Sequence, residues 1–232
     1  MRAWKGTPMH EHGTLLRARD LTCCFRGRRD KLVRAVDGVS LEIARGESLG
    51  LVGESGCGKS TLGRLLPRLE EPTSGRGSFD GVDVTEAGPV ELCKLRRRMQ
   101  VVLQDPYASI NPHRTVGESI GLPLRLAGCR DEAAIRGRVA DLMTQVGLDP
   151  SLAGRFPHQF SGGQRQRVGI ARALACDPDL IIADEPAASL DVSVQAQILE
   201  VLRGLQERLG LSLLFISHDL SVVARVSHRI AV

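Results

Sequence analysis

Residues 53–61 read Gly53-Glu54-Ser55-Gly56-Cys57-Gly58-Lys59-Ser60-Thr61, and the first eight match the pattern G-x-x-x-x-G-K-[ST]. The apolar run Ser48–Val52 precedes them and is too short for a helix, so it predicts a buried strand. The residues up to Leu69 are compatible with a helix. Glycines between a strand and a helix let backbone N–H groups turn towards phosphate oxygens. The sequence therefore predicts a phosphate-binding loop, in which Lys59 reaches the β- and γ-phosphates and the Ser60 hydroxyl ligates Mg²⁺.

A phosphate-binding loop does not select a reaction by itself, because kinases, GTPases and motor ATPases all use one. Four further runs have the apolar composition of buried strands: Met99–Leu103, Leu180–Ala183, Leu213–Ile216 and Arg229–Val232. Apolar residues recur at helical spacing over 194–209, before Gly210, and over 135–146, between Asp131 as N-cap and Gly147 as stop. The alternation of strands and helices predicts an α/β fold with a parallel sheet.

Two regions depart from this alternation. Between Leu15 and Glu47, short apolar segments alternate with turn pairs such as Asp37-Gly38, which predicts antiparallel strands joined by hairpins. Between Asp105 and Cys176 no segment has a strand pattern, so we expect an inserted helical subdomain. The predicted organisation is an N-terminal tail (1–14), a nucleotide-binding core with its β-subdomain (15–104), the helical subdomain (105–176) and the second part of the core (177–232).

The composition excludes several classes of protein. Of 232 residues, 42% are hydrophobic and 25% charged, which excludes collagen-like and wholly disordered chains. Aromatic residues make up 3%, which argues against base-stacking platforms, and we expect no nucleic-acid partner. The six cysteines form no C-x-x-C pair and predict free thiols. With no signal-peptide pattern and no apolar run of ~18 residues, we expect a cytosolic chain.

Polar side chains follow three of the predicted strands, at the edge where a parallel sheet binds its ligand. Asp184 ends one run and suits Mg²⁺, and Glu185 can polarise a water for attack on a γ-phosphate. The plainer interpretation of this pair is solvated acids or a helix cap before Pro186. His218 can donate to a γ-phosphate oxygen, and Gln104 can reach Mg²⁺ or the attacking water. Each of these two is an ordinary loop residue when taken alone.

A second glycine-rich helix start lies at Ser161-Gly162-Gly163-Gln164. Ser161 is a good N-cap, and the two glycines expose N–H groups, so the stretch predicts a second anion site. A kinase or GTPase with a single nucleotide site does not need a second anion site. The plainer interpretation is a capped helix with a basic surface.

Together these motifs resemble the nucleotide-binding subunit of the ATP-binding-cassette family over Leu15–Val232. The landmarks occur in the family's order: the loop 53–60, Gln104, Ser161–Gln164, Asp184-Glu185, Asp191 and His218. The resemblance implies that two subunits pack head to tail, with each ATP between one subunit's phosphate loop and the other's Ser161–Gly163 segment. It also implies roles for single residues: Glu185 as catalytic base, His218 as γ-phosphate contact, Gln104 as Mg²⁺ and water contact, Asp191 as cross-dimer linker and Phe25 as adenine-stacking ring.

Finer resemblance, over Gln104–Pro112, Phe156–Phe160 and Asp191–Gln197, points to the ATPases of oligopeptide and dipeptide importers. It implies a peripheral subunit at the cytoplasmic face of the membrane. The implied partners are a sister ATPase in a heterodimer, transmembrane permease subunits and, indirectly, an extracytoplasmic solute-binding protein. Family members continue past the last apolar run, so a truncated C-terminal end is expected. The alternatives are a non-transport cassette ATPase, an inactive fragment and, as a near neighbour, an exporter ATPase.

Overall fold

The computed structural model describes residues 13–26, 31–105 and 109–232. They form two compact units. The first unit combines the residues up to Met99 with Ser212–Val232, and the second is Gln100–Leu211. Strands and helices occur in both units, in parallel and antiparallel arrangements, so the predicted α/β class is confirmed.

An antiparallel sheet of the first unit has the order β2-β1-β4-β5. Its strands are β1 (Thr14–Arg26), β2 (Leu32–Ala44), β4 (Ser74–Phe79) and β5 (Val82–Asp83). The prediction of a turn at Asp37-Gly38 is wrong, because both residues lie inside β2. Gly38 has a φ of 63°, and the pairing of β1 with β2 shifts register beside it. A left-handed glycine at a register shift forms a bulge, which bends a strand without reversing the chain.

Parallel strands also lie in the first unit, where β3 (Ser48–Val52) pairs with β8 (Ser212–Ser217) on one side and β9 (Arg229–Ala231) on the other. The helices of this unit are α1 (Lys59–Leu65), α2 (Pro89–Arg98) and α7 (Leu220–Val226). Helix α1 ends before the predicted Leu69, because Pro67 has no N–H and cannot continue the hydrogen-bond pattern of the helix.

The second unit contains β6 (Met99–Val102), from Gln100 onward, beside β7 (Leu180–Asp184). Its helices are α3 (Val116–Leu126), α4 (Glu132–Gln145), α5 (Gly162–Leu174) and α6 (Val192–Leu209), with 3₁₀ turns at Pro150–Gly154 and Pro157–Gln159. Helices α3, α4 and α5 pack against one another. Between 109 and 176 the described residues form helices and turns and no strand.

Helix ends in the second unit follow the sequence closely. Asp131 caps α4 by accepting hydrogen bonds from the N–H groups of Ala133 and Ala134, as predicted. Helix α6 ends at the predicted Gly210, whose φ of 64° suits a glycine. Over the parts of the chain that the structure describes, we find no helix with both the length and the apolar character needed to cross a membrane.

Candidate functional site

The phosphate loop, residues 53–60, follows β3 directly and leads into α1. Gly58 is the N-cap of this helix, with a φ of 97°, and no side chain among the described residues caps it. A Cβ atom at Gly58 would lie 1.9 Å from the carbonyl oxygen of Ala35, so only glycine fits here. Residues 54–57 are exposed. The start of α1 therefore lies beside an exposed loop, where the positive end of the helix dipole can face a phosphate group.

Lys59 turns back along the loop that precedes it. Its ammonium Nζ donates to the carbonyl oxygens of Gly53 and Glu54, each at 2.7 Å, and lies 3.7 Å from the Cys57 Sγ. The residue is 7% exposed, so the two carbonyl groups replace most of the water that would otherwise solvate the ammonium group. The loop thus contains a fixed positive charge beside a helix N-terminus, an arrangement suited to a phosphate group.

His218 lies beside the phosphate loop in the first unit. Val52 pairs with Ser217 in the parallel register of β3 and β8, so Gly53 and His218 are the next residues along two neighbouring strands. His218 is exposed, whereas all of β8 is buried. Its position at the carboxyl end of β8 is the one that the sequence predicts.

Phe25, the predicted adenine-stacking residue, is next to the last residue of β1. It pairs with Val33 of β2 and is 41% exposed. An exposed aromatic ring at a strand end has a face available for stacking.

In the second unit the acidic pair ends a buried strand. Asp184 is the last residue of β7 and is 5% exposed. Glu185 has a φ of 47°, a left-handed backbone that is uncommon for residues other than glycine, asparagine and aspartate. Its carbonyl oxygen accepts a hydrogen bond from the N–H of Ala188 at 3.2 Å, which turns the chain away from the strand. No sequence pattern predicts this backbone conformation, which aims the Glu185 side chain differently from an extended residue.

Gln104 lies two residues past the end of β6, the strand that neighbours β7. Its side chain is exposed. Each of the residues predicted to contact Mg²⁺ offers an oxygen donor: a hydroxyl from Ser60, a carboxylate from Asp184 and an amide carbonyl from Gln104. Each of these groups is a type of oxygen donor that hard cations such as Mg²⁺ prefer. Within the described ranges, no cluster of three or more His, Cys, Asp or Glu side chains suits a metal ion.

The predicted second anion site is the start of α5. Ser161 caps the helix by accepting from the N–H of Gln164 at 3.3 Å, and the Gln164 side chain accepts from the N–H of Ser161 at 2.9 Å. This reciprocal pair is a capping box. The predicted N-cap is confirmed.

The glycines of α5 also make close contacts that the sequence does not predict. A Cβ at Gly163 would lie 2.3 Å from Val194 Cγ1, and one at Gly162 would lie 3.0 Å from Leu190 Cδ2. These small residues therefore let α5 approach the turn that begins α6. At that turn Asp191 accepts hydrogen bonds from the Ser193 hydroxyl at 2.7 Å and the Val194 N–H at 3.0 Å. Both bonds hold the pKa of the Asp191 carboxyl below its ordinary value.

The sequence alone gives no sign that Arg165 is buried, because it lies in a stretch that is expected to form a basic surface. It is 8% exposed, and its guanidinium donates to the carbonyl oxygen of Phe160 at 2.6 Å and towards that of Pro157 at 3.4 Å. It thereby holds the turn that precedes Ser161. A run of alternating Gln and Arg gives no signal for which arginine is buried, because that depends on how α5 packs.

The family profile described as "ABC transporter" matches residues 36–188. The chain is similar to the oligopeptide transport ATP-binding protein AppF of Bacillus subtilis (52% identity over 86% of the chain and 61% of AppF). It is also similar to the probable peptide ABC transporter ATP-binding protein y4tS of Sinorhizobium fredii (54% identity over 87% of the chain and 57% of y4tS).

A solved structure gives the same result. The dimeric ATP-binding cassette MJ0796, in a post-hydrolysis state bound to ADP and Pi, aligns with a TM-score of 0.84 and 32% identity over 93% of each chain. The chain spans about three fifths of the length of the curated relatives that it matches. With a family profile over most of the chain and relatives above 50% identity, the chain belongs to the ABC transporter family.

Proposed function

We propose that this chain binds and hydrolyses ATP and that it powers an importer of oligopeptides, dipeptides or similar small solutes. The observation that carries the proposal is the phosphate loop, in which a left-handed Gly58, an uncapped helix start and the buried charge of Lys59 coincide. The whole loop contributes to nucleotide binding: Gly53, Glu54, Ser55, Gly56, Cys57, Gly58, Lys59, Ser60 and Thr61.

Binding of the triphosphate draws on groups of the first unit. The N–H groups of the loop donate to phosphate oxygens, and Lys59 exchanges its two carbonyl contacts for the β- and γ-phosphates. His218, the neighbour of Gly53 across the β3–β8 pairing, donates to a γ-phosphate oxygen. Phe25 stacks on the adenine. Because the loop is held by β3 and by the fit of Gly58 against Ala35, the reorganisation on binding is confined mainly to the Lys59 side chain.

Hydrolysis requires a base and a hard cation. Glu185 accepts a proton from the attacking water, and its left-handed backbone sets the direction of its carboxylate. Ser60, Asp184 and Gln104 are the oxygen donors for Mg²⁺, which supplies charge neutralisation to the β- and γ-phosphates when bound. Gln104 also orients the attacking water.

The start of α5 contributes to a nucleotide held by another subunit. Ser161, Gly162, Gly163 and Gln164 donate to the γ-phosphate that the partner's phosphate loop binds, and Asp191 links the two subunits. The dimeric state of MJ0796, a solved ABC cassette, supports this arrangement. We propose a heterodimer with a sister ATPase.

We infer the class of transported solute from the names of the relatives. AppF and y4tS are described as oligopeptide and peptide transport ATP-binding proteins. We therefore propose that this chain works as a peripheral subunit on the cytoplasmic face of the membrane. Its partners are transmembrane permeases, which an extracytoplasmic solute-binding protein supplies with cargo.

Replacement of the proposed base tests the function. In the assembled importer, Glu185→Gln should retain ATP binding and reduce ATP turnover by at least about a hundredfold, because the water loses its general base. Glu207→Gln is the matched control, since Glu207 is an exposed acid near the end of α6. Phosphate release and binding of a fluorescent ATP analogue are the measurements. Sustained turnover by Glu185→Gln would remove Glu185 from its role, and a wild-type assembly without ATP hydrolysis would contradict the proposed function.

A further inference from the structure

Two polar side chains of α5 hold the backbone on either side of Gln104. Gln166 donates from Nε2 to the carbonyl oxygen of Leu103 at 3.3 Å. Arg172, six residues further along the helix, donates from Nη1 to the carbonyl oxygen of Ser109. Residues 106–108 lie outside the described ranges. One helix therefore holds both described stretches that flank them, 103–105 and 109–110.

Burial strengthens both contacts. Gln166 is 2% exposed, so water cannot easily replace the acceptor that Leu103 provides. Burial also lowers the pKa of the Arg172 guanidinium, as expected for a charge removed from water. By contrast, Gln104 itself is exposed. Helix α5 thus holds the backbone beside Gln104, while the Gln104 side chain, which is proposed to act on the nucleotide, remains exposed.

The same helix carries the second anion site at its start. Gly162 and Gln166 are four residues apart, about 6 Å along the axis of a helix. A helix of 13 residues moves as one body over such a distance, so a displacement of its first turn also displaces Gln166. The carbonyl of Leu103 belongs to the residue immediately before Gln104.

We propose that Gln166 and Arg172 are positioning residues, which fasten the backbone around Gln104 to α5 so that movement of the Ser161–Gly163 helix start is transmitted to Gln104. The inference rests on the proposed function of Gln104. Gln166 acts through the Leu103 carbonyl and does not touch the nucleotide. Its removal should therefore loosen Gln104 and slow turnover while leaving ATP binding nearly unchanged.

Hydrogen exchange tests the attachment directly in the full chain. Gln166→Met keeps the length of the side chain and removes its donor, and we expect exchange in a peptide over residues 100–105 to rise about fivefold, the effect of one lost hydrogen bond. Arg167→Met is the matched control, because Arg167 lies on the same helix and donates to the carbonyl of Val146 at 2.9 Å and to Gln197 at 3.1 Å. Unchanged exchange in Gln166→Met, or an equal rise in Arg167→Met, would overturn the proposal.

Kinetics in the assembled importer separate a positioning role from a loss of stability. We expect Gln166→Met to lower kcat about fivefold with KM for ATP within about twofold, and to have no further effect on kcat in a Gln104→Ala background. Losses that multiply in the double variant would show that Gln166 does not act through Gln104 and would overturn the proposal. If the wild-type assembly shows no ATP turnover, the proposed function is contradicted. The hydrogen-exchange measurement alone then tests whether Gln166 holds the backbone before Gln104.

Discussion

Helices α1 and α5 both have glycines at their starts, and the two starts are built differently. Helix α1 starts after a left-handed Gly58, and no described side chain caps it. Helix α5 starts after Ser161, whose backbone is extended and whose hydroxyl forms a capping box with Gln164. At the start of α5, side chains already accept hydrogen bonds from the N–H groups of Ser161 and Gln164, whereas no described side chain forms such a cap at the start of α1.

The glycines also serve different purposes at the two starts. Gly58 combines a φ of 97° with a close approach to the carbonyl oxygen of Ala35. Gly162 and Gly163 are instead part of α5 and allow Leu190 and Val194 to pack closely. The start of α1 is thus suited to binding a phosphate group within its own chain. Helix α5 has a start that is already capped and closely packed, and under the proposed function it contributes to a phosphate held by another subunit.

The largest effect is expected at Gly58. Gly58→Ala places a Cβ 1.9 Å from the carbonyl oxygen of Ala35 on a left-handed backbone, so we expect the free energy of unfolding to fall by about 3 kcal/mol or more and ATP binding to be lost. Urea unfolding and nucleotide binding measure this. In Gly137→Ala, the control, the new Cβ on the exposed face of α4 meets no atom within 4 Å, and stability should rise by about 0.5–1 kcal/mol. Full ATP binding by Gly58→Ala would show that the start of α1 does not need a glycine to bind phosphate, and it would contradict the difference drawn between the starts of α1 and α5.

At Gly163 we expect an intermediate effect, because the obstacle is a side chain and not the backbone. Gly163→Ala brings a Cβ within 2.3 Å of Val194 Cγ1, and overpacking of this kind costs about 1–3 kcal/mol. Val194→Ala removes that methyl group, so the double variant should be more stable than Gly163→Ala alone. If Val194→Ala brings no recovery in urea unfolding, the close contact is not what requires a glycine here.

The Ser161 cap of α5 should contribute about 1 kcal/mol to the free energy of unfolding. Ser161→Ala removes the acceptor for the Gln164 N–H and lowers the free energy of unfolding by that amount, whereas Ser161→Asp retains an acceptor and most of the stability. Ser55→Ala provides the comparison in the exposed phosphate loop, where a change within about 0.5 kcal/mol is expected. Equal losses at both positions would contradict the difference in capping.

The smallest effect concerns acid stability at Asp191. Hydrogen bonds from Ser193 and Val194 lower the pKa of this carboxyl in the folded chain. Its contribution is therefore complete above the ordinary aspartate pKa of about 4, and it is lost as the pH falls from there through the lowered pKa of the folded chain. Asp191→Asn should therefore flatten the decline of the urea midpoint between about pH 5 and pH 3. An unchanged decline would show that this turn does not couple to protonation.

Local patterns carried most of what the sequence predicts correctly. These features are the strand, loop and helix around residues 53–60, the N-caps Asp131 and Ser161, and the stop at Gly210. Each depends on a few consecutive residues with a strong backbone or hydrogen-bond preference. The premature end of α1 also has a local cause in Pro67, which the helix-compatible pattern up to Leu69 concealed.

Features that depend on distant residues were not predictable. The bulge at Gly38 arises from how β2 pairs with β1, since the same Asp-Gly pair also suits a turn. The left-handed φ of Glu185 has no sequence signature. The contacts of Gly163 with Val194 and of Gln166 with Leu103 join residues far apart in sequence, and only the packing of α5 brings them together.

The most direct test of the account is to compare Ser161→Arg in two states of the protein. For the isolated chain we predict an ATP dissociation constant within about twofold of the wild type, because the phosphate loop binds the nucleotide without help from α5. For the assembled importer we predict that ATP turnover is abolished, because the arginine blocks the helix start that faces the partner's nucleotide. Loss of ATP binding by the isolated Ser161→Arg chain would contradict the assignment of α5 to a nucleotide held by another subunit.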